Sequence, residues 1–279
     1  MAELIAEKRN AAQTADEREQ IAMKQMAGTG LDMGKLAGIN DGISASAVEE
    51  LKAIEAKLNE QSQEAAFATD IDLSTAILPS NATMLTPAWA GGFSDNAFDD
   101  PLTDASDVST QAVISGGGCK NYYNWARGAG SGLFGTGVGK IQTWAEFGFW
   151  FKPEQSRFYS IRPLFRYRGY YIVRADDGIF TSKYARVLVS AWTNVHQYNW
   201  KGWNHVNVLD VRDDNINVNR RFDNDRHTYN TYLLGANDWA YIRCTIGLYA
   251  YARGGGSYAK NDFATGNANY LCVPHVHVI

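Results

Sequence analysis

From residue 141 onward, apolar and polar positions alternate with a period of two. In IQTWAEFGFWFK, Ile141, Thr143, Ala145, Phe147, Phe149 and Phe151 share one face, opposite Gln142, Trp144, Glu146, Trp150 and Lys152. In AYIRCTIGLYAYA, Ala240, Ile242, Cys244, Ile246, Leu248 and Ala250 lie opposite Tyr241, Arg243, Thr245, Tyr249 and Tyr251. Successive side chains of a strand point to opposite faces, so these runs predict half-buried strands. Further strands are expected near 158–174, 184–192, 204–211 and 269–279, with turns at Asp177-Gly178, Lys201-Gly202 and the glycines 254–256. No helical pattern intervenes, which predicts an antiparallel β-sandwich or jelly-roll-like head over residues 141–279. Its outward positions carry Trp and Tyr where a solvated sheet would carry Lys and Glu, a composition that suits a binding face.

The N-terminal quarter follows a different period. Residues 3–27 are rich in Ala, Glu, Lys and Gln and contain no Gly or Pro, which predicts one long helix. After a glycine-punctuated joint at 28–42, Ser46 and Glu49 fit a capping box. Ala47, Leu51, Ile54, Leu58, Gln61, Ala65 and Ala68 then recur at alternating spacings of 4 and 3, the a/d seam of a coiled coil. We therefore expect residues 1–70 to form a helical oligomerisation and anchor segment, with Leu51, Ile54, Leu58, Gln61 and Ala65 at the helix contacts. An intramolecular helical hairpin, or one helix docked on the β body, fits the same seam. Residues 71–140, with three of the six prolines and a glycine cluster from 116 to 139, read as a loop-rich connection with short strands ahead of the glycines. The expected fold is mainly β, with a helical, coiled-coil-like stalk or anchor ahead of the sandwich.

Composition sharpens that boundary. Only Phe67 of the 35 aromatic residues lies in the first 70, and that stretch holds 7 Lys/Arg against 13 Asp/Glu. Glutamate occurs after it only at 146 and 154. The whole chain of 279 residues carries a net charge of −4, which argues against a nucleic-acid partner. No apolar run is long enough for a transmembrane span. The charged start MAELIAEKRN lacks the apolar core of an export signal, so synthesis in the cytoplasm is expected, followed by incorporation into a virion or release. Cys119, Cys244 and Cys272 are too few and too scattered for a disulfide scaffold, and Cys119 reads as an ordinary thiol.

Familiar catalytic patterns fail one by one. Gly130 to Gly135 matches GxGxxG without a flanking strand and helix. Asp213, Asn215 and Asn217 have calcium-loop spacing, but Val218 stands at the required glycine and Asn224 at the twelfth position. Glu146 lies on a tryptophan-bearing face with no second carboxylate fixed by the sequence. We expect no enzyme and no organic cofactor. His275 and His277 would project from one face of a terminal strand, and three chains around an axis would supply six imidazoles to a transition metal. This His-x-His resembles that of trimeric phage fibre and spike tips, which implies a homotrimer with a metal on its axis.

The plan therefore suits a non-enzymatic attachment protein: a phage-like virion fibre, spike or decoration subunit, self-associated as a homotrimer and joined to another structural protein through its N-terminal helices. A lectin-like carbohydrate-binding protein is the alternative. Trp192, Tyr198, Trp200, Trp203 and Asn204 would then offer stacking faces and an amide to surface glycans. A membrane-active toxin is the third reading.

Overall fold

The computed structural model describes residues 49–50, 52–58, 60, 81–95, 108–114, 119–127, 138–175, 183–254, 257–265 and 268–279. The helix expected over 3–27 and the turn at Asp177-Gly178 lie outside these residues, as do Leu51, Gln61 and Ala65. Residues 49–60 run as helix at every described position.

Everything else that is regular among the described residues is strand. In chain order these are β1 (Thr83–Leu85), β2 (Trp89–Asp95), β3 (Val108–Ile114), β4 (Cys119–Arg127), β5 (Val138–Phe151), β6 (Arg157–Ala175) and β7 (Tyr184–Gln197). The second half continues with β8 (Asn199–Asp213), β9 (Ile216–His227), β10 (Asn230–Leu234), β11 (Ala240–Arg253), β12 (Tyr258–Phe263), β13 (Tyr270–Cys272) and β14 (Val276–Val278). One sheet has five strands in the order β2-β5-β11-β7-β8; the other has nine, built around β1-β14-β6-β12-β4-β13. Every pairing is antiparallel. The sandwich expectation holds.

The alternation read from the sequence decides which residues fill the space between the sheets. Phe147, Phe149, Ile242, Cys244 and Ile246 from the five-stranded sheet meet Ile161, Phe165, Tyr167, Phe263 and Leu271 from the other, all fully buried. Burying each such side chain is worth about 1.5–3 kcal/mol, so this layer fixes the register of both sheets.

Three expectations need correction. Residues 119–127, expected as irregular loop, form β4, which pairs with β12 and β13, while β2 is one of the short strands expected in the loop-rich stretch before it and pairs with β5. Apolar alternation there is weak, and tertiary pairing overrides the loop-like composition. Cys119 and Cys272, 153 residues apart, form a disulfide, because β4 and β13 bring them into direct register. Lys201-Gly202 is no turn, since β8 runs through it; Gly202 takes a φ of +109° and the chain reverses at Tyr198 (φ +65°).

The 49–60 helix packs on the outer face of the nine-stranded sheet. Leu58 is buried among Tyr170, Ile172 and Tyr258, with Ile54 beside them. Glu50 pairs with Arg174 at 2.7 Å, and Glu55 accepts hydrogen bonds from the Tyr258 hydroxyl (2.9 Å) and Lys260 Nζ (3.0 Å). Ile54 and Leu58 thus spend their apolar surface on their own chain, the docked-helix arrangement. Among the described residues no helix is long and apolar enough to cross a membrane.

Candidate functional site

The outer face of the five-stranded sheet carries the aromatic residues that the two-residue period placed outward. Cross-strand register sets Trp150, Tyr241, His196 and Trp200 in one row across β5, β11, β7 and β8. The next row holds Gly148, Arg243, Asn194 and Trp203, and a third holds Glu146, Thr245, Trp192 and His205.

Within these rows the rings form a connected strip. Trp239, on the turn before β11, meets Trp150 edge to face at 6.4 Å between centroids, and Trp150 lies 4.9 Å from Tyr241. Tyr241 is 6.5 Å from Trp200, which runs nearly parallel to Trp203 at 6.2 Å and 12°. His196 stands edge-on to Trp200 at 5.1 Å, and Trp192 stacks on His205 at 5.1 Å. Two glycines make room for rings to lie flat: a Cβ at Gly148 would collide with the Tyr241 ring, and one at Gly247 with the Trp192 indole. Trp150, Trp200, Trp203 and Trp239 remain 41–60% exposed. Four large indoles held in water close together form the kind of patch that marks a binding surface.

Arg243 is the charge at the centre of the strip. Its guanidinium carbon lies 4.5 Å from the Trp200 ring centre and 4.6 Å from that of Trp203, within cation–π range of both. Glu146 faces it at 3.9 Å and also lies 3.5 Å from the Thr245 hydroxyl. Glu146 is therefore an ion-pairing residue of this face. At the Trp239 end the strip opens into a cleft of about 680 Å³, lined among others by Trp150, Trp239, Lys152, Glu154 and Arg157.

The five residues expected to bind ligand separate into distinct positions. Trp200 and Trp203 sit side by side on the exposed strip. Trp192 is buried, stacked on His205 in the third row. Tyr198 is exposed at the β7–β8 reversal, where its hydroxyl donates to Asp238; that hydrogen bond raises its pKa above the usual tyrosine range. Asn204 donates to the Tyr229 carbonyl (3.1 Å) and to Asn230 Oδ1 (2.6 Å), so its amide holds β8 to the 229–230 segment. Trp150, Trp239, Tyr241 and Arg243 complete the strip and were not in the expected set. The period placed all but Trp239 on the outer face, but their proximity depends on which strands are neighbours.

The His-x-His pair lies elsewhere. β14 runs between β1 and β6, and the two imidazoles sit 4.4 Å apart, each about 95% covered by their own chain. Burial lowers the pKa of His277, helped by nearby His227 and Arg162. No cluster of three or more metal-ligating side chains occurs among the described residues. Asp213 and Asn215 flank the tight β8–β9 reversal, where Asp213 Oδ1 accepts the Asp214 amide at 2.8 Å.

No protein family and no curated protein matches this chain. Solved structures similar to it include TmCBM61 in complex with β-1,4-galactotriose, at 8% identity and TM-score 0.20 over 72% of this chain and 88% of that one. A CBM4 structure matches at 11% identity and TM-score 0.19, covering 61% and 86%. The enzymatically active domain of tailspike protein 4 from bacteriophage CBA120 matches at 11% identity and TM-score 0.18, covering 72% of this chain and 20% of that one. These scores are too low to carry a functional argument, which rests instead on the geometry above.

Proposed function

We propose that this chain is a non-enzymatic, glycan-binding β-sandwich whose contact surface is the strip from Trp239 through Trp150, Tyr241 and Trp200 to Trp203. The observation that supports this reading is the exposure of four indoles, 41–60% each, in one connected strip, three on strands β5 and β8 and one on the turn before β11. Sugar rings present flat faces of C–H groups. Those faces pack on aromatic rings, while the hydroxyl groups around them take hydrogen bonds from neighbouring polar side chains. Successive ring centres 4.9–6.5 Å apart form a platform that an extended chain of sugars can lie along. Such a surface binds and holds its ligand.

The test is a glycan array followed by titration calorimetry on the best ligand. Trp200→Ala and Trp150→Ala should each weaken binding by roughly tenfold or more, about 1.4 kcal/mol, with the fold intact. Full affinity in both variants would remove the strip from the binding site.

We further propose an attachment setting for this head, a virion fibre, spike or decoration subunit that self-associates through its N-terminal segment. The support is the compositional step at residue 70 and the heptad seam. Light scattering decides it. The full chain should be a trimer, and a folded chain starting at residue 71, which lacks the seam, should be a monomer. A monomeric full-length chain would refute this setting.

A further inference from the structure

Resting on the glycan-binding reading, we infer that the ligand is an acidic glycan whose carboxylate or sulfate is taken by Arg243. Three other arginines of the sandwich have close carboxylate partners. Arg186 grips Asp210 through two hydrogen bonds of 2.8 and 2.7 Å, Arg168 meets Asp225 at 2.7 Å and Arg221 meets Asp223 at 2.8 Å. Arg243 is held differently. Two indoles lie within cation–π range of it, and Glu146 stays 3.9 Å from Nη1, beyond hydrogen-bond distance. Its Nε is buried without an acceptor.

The cross-strand neighbour repeats the imbalance. Asn194, 1% exposed, accepts the Val195 amide on its Oδ1 and has no acceptor for its buried Nδ2. Two adjoining residues at the centre of the strip therefore carry donors in excess of acceptors. A buried donor without a partner costs about 1–3 kcal/mol, so a ligand that brings acceptor oxygens here, and lets the side chains turn toward it, recovers that free energy. A planar guanidinium matches a carboxylate or sulfate with two parallel hydrogen bonds, whereas a neutral hydroxyl offers a single acceptor.

Charge along the face agrees. Lys201 reaches over the Tyr198 ring beside the strip, and Lys152 and Arg157 line the cleft, against Glu146, Glu154 and the Asp238 bound by Tyr198. With Arg243 this leaves a slight positive surplus, on a chain whose net charge is −4. It would draw an anionic polymer to the strip and bring its acid groups past Arg243.

The experiment uses the full chain against immobilised pairs that differ only in charge: dextran and dextran sulfate, polygalacturonate and its methyl ester, and an array of neutral and acidic oligosaccharides of common backbone. The acidic partner should bind about tenfold more tightly, with an affinity that falls as salt is raised. Arg243→Met keeps the stem on the indoles and should bring the acidic partner down to the neutral level. Arg243→Lys should recover only part of the difference, and Trp200→Ala should weaken both partners. Neutral glycans bound as tightly as acidic ones, or an acid preference unchanged in Arg243→Met, would overturn the inference while leaving glycan binding in place. No glycan bound by the folded wild-type chain would overturn both.

Discussion

The indole of Trp192 lies across Gly247, in the space a side chain at that position would fill, and carries His205 stacked on it at 5.1 Å. The same device recurs where the Tyr241 ring covers Gly148. Aromatic rings thus lie along the sheet surface, and the exposed tryptophans beside them rest on a fixed floor. Gly247→Val should push Trp192 off its seat and cost about 1–3 kcal/mol, as overpacking of a filled site does. Chemical denaturation followed by tryptophan fluorescence measures the cost. A Gly247→Val protein as stable as wild type, with unchanged emission, would show that the indole does not need that seat.

The Cys119–Cys272 disulfide closes a loop of 153 residues, most of the sandwich. By the chain-entropy argument, a crosslink of that span stabilises the folded state by about 4–5 kcal/mol, since it restricts the unfolded chain. Reduction, or the Cys119→Ser/Cys272→Ser double variant, should lower the thermal midpoint by several degrees or more. Cys244, buried in the core, should stay unmodified by thiol reagents until the protein unfolds. A midpoint insensitive to reductant would exclude the bond.

How much of this was legible beforehand follows from the range of each signal. The inward faces of β5 and β11 were readable residue by residue, because a two-residue period is local and burial enforces it. The strip was half readable: Trp200 and Trp203 lie close in sequence, but Trp150 and Tyr241 reach Trp200 only because β5, β11, β7 and β8 are neighbours. The disulfide was hidden for the same reason, its two strands being far apart in the chain. Asn204 and Trp192 looked like ligand residues by type, yet one is engaged by the 229–230 segment and the other buried. Residue type identifies a capacity, and neighbours determine how it is used. The heptad seam is the sharpest instance. Its spacing is common to helices that meet copies of themselves and to helices that meet a sheet, and Leu58 meets a sheet.

That docking makes a prediction of its own. Leu58→Ala should destabilise the sandwich by about 2–4 kcal/mol, since the side chain is buried against Tyr170, Ile172 and Tyr258. Glu55→Gln should cost less, about 1–2 kcal/mol, because Lys260 keeps Asp262 at 3.2 Å as a second partner. Urea denaturation of the full chain reads both. If Leu58→Ala instead dissociates an oligomer and leaves monomer stability untouched, the seam serves contacts between copies.

Acid should unfold the sandwich in two steps, each with its own residues. Burial lowers the pKa of His227 and is likewise the main cause at His277, where His227 and Arg162 add to it. A base that binds its proton less readily when folded gives stability that is complete above about pH 6.5, the ordinary histidine value, and is lost as pH falls through the folded value. Asp262 accounts for the second step. Its burial alone would raise its pKa, but Lys260, the Thr265 hydroxyl and the amides of Thr265 and Ala264 outweigh that and hold it below the usual carboxylate range. Its contribution is present above about pH 4 and is lost as pH falls through the lowered value. Urea midpoints measured from pH 8 to pH 2 should therefore decline first between neutral and mildly acidic pH, then again in strong acid. The His227→Asn/His277→Asn double variant should flatten the first decline and leave the second. Asp262→Asn, less stable at neutral pH, should do the reverse, and midpoints level from pH 7 to pH 5 in the wild type would show that neither histidine is coupled to folding.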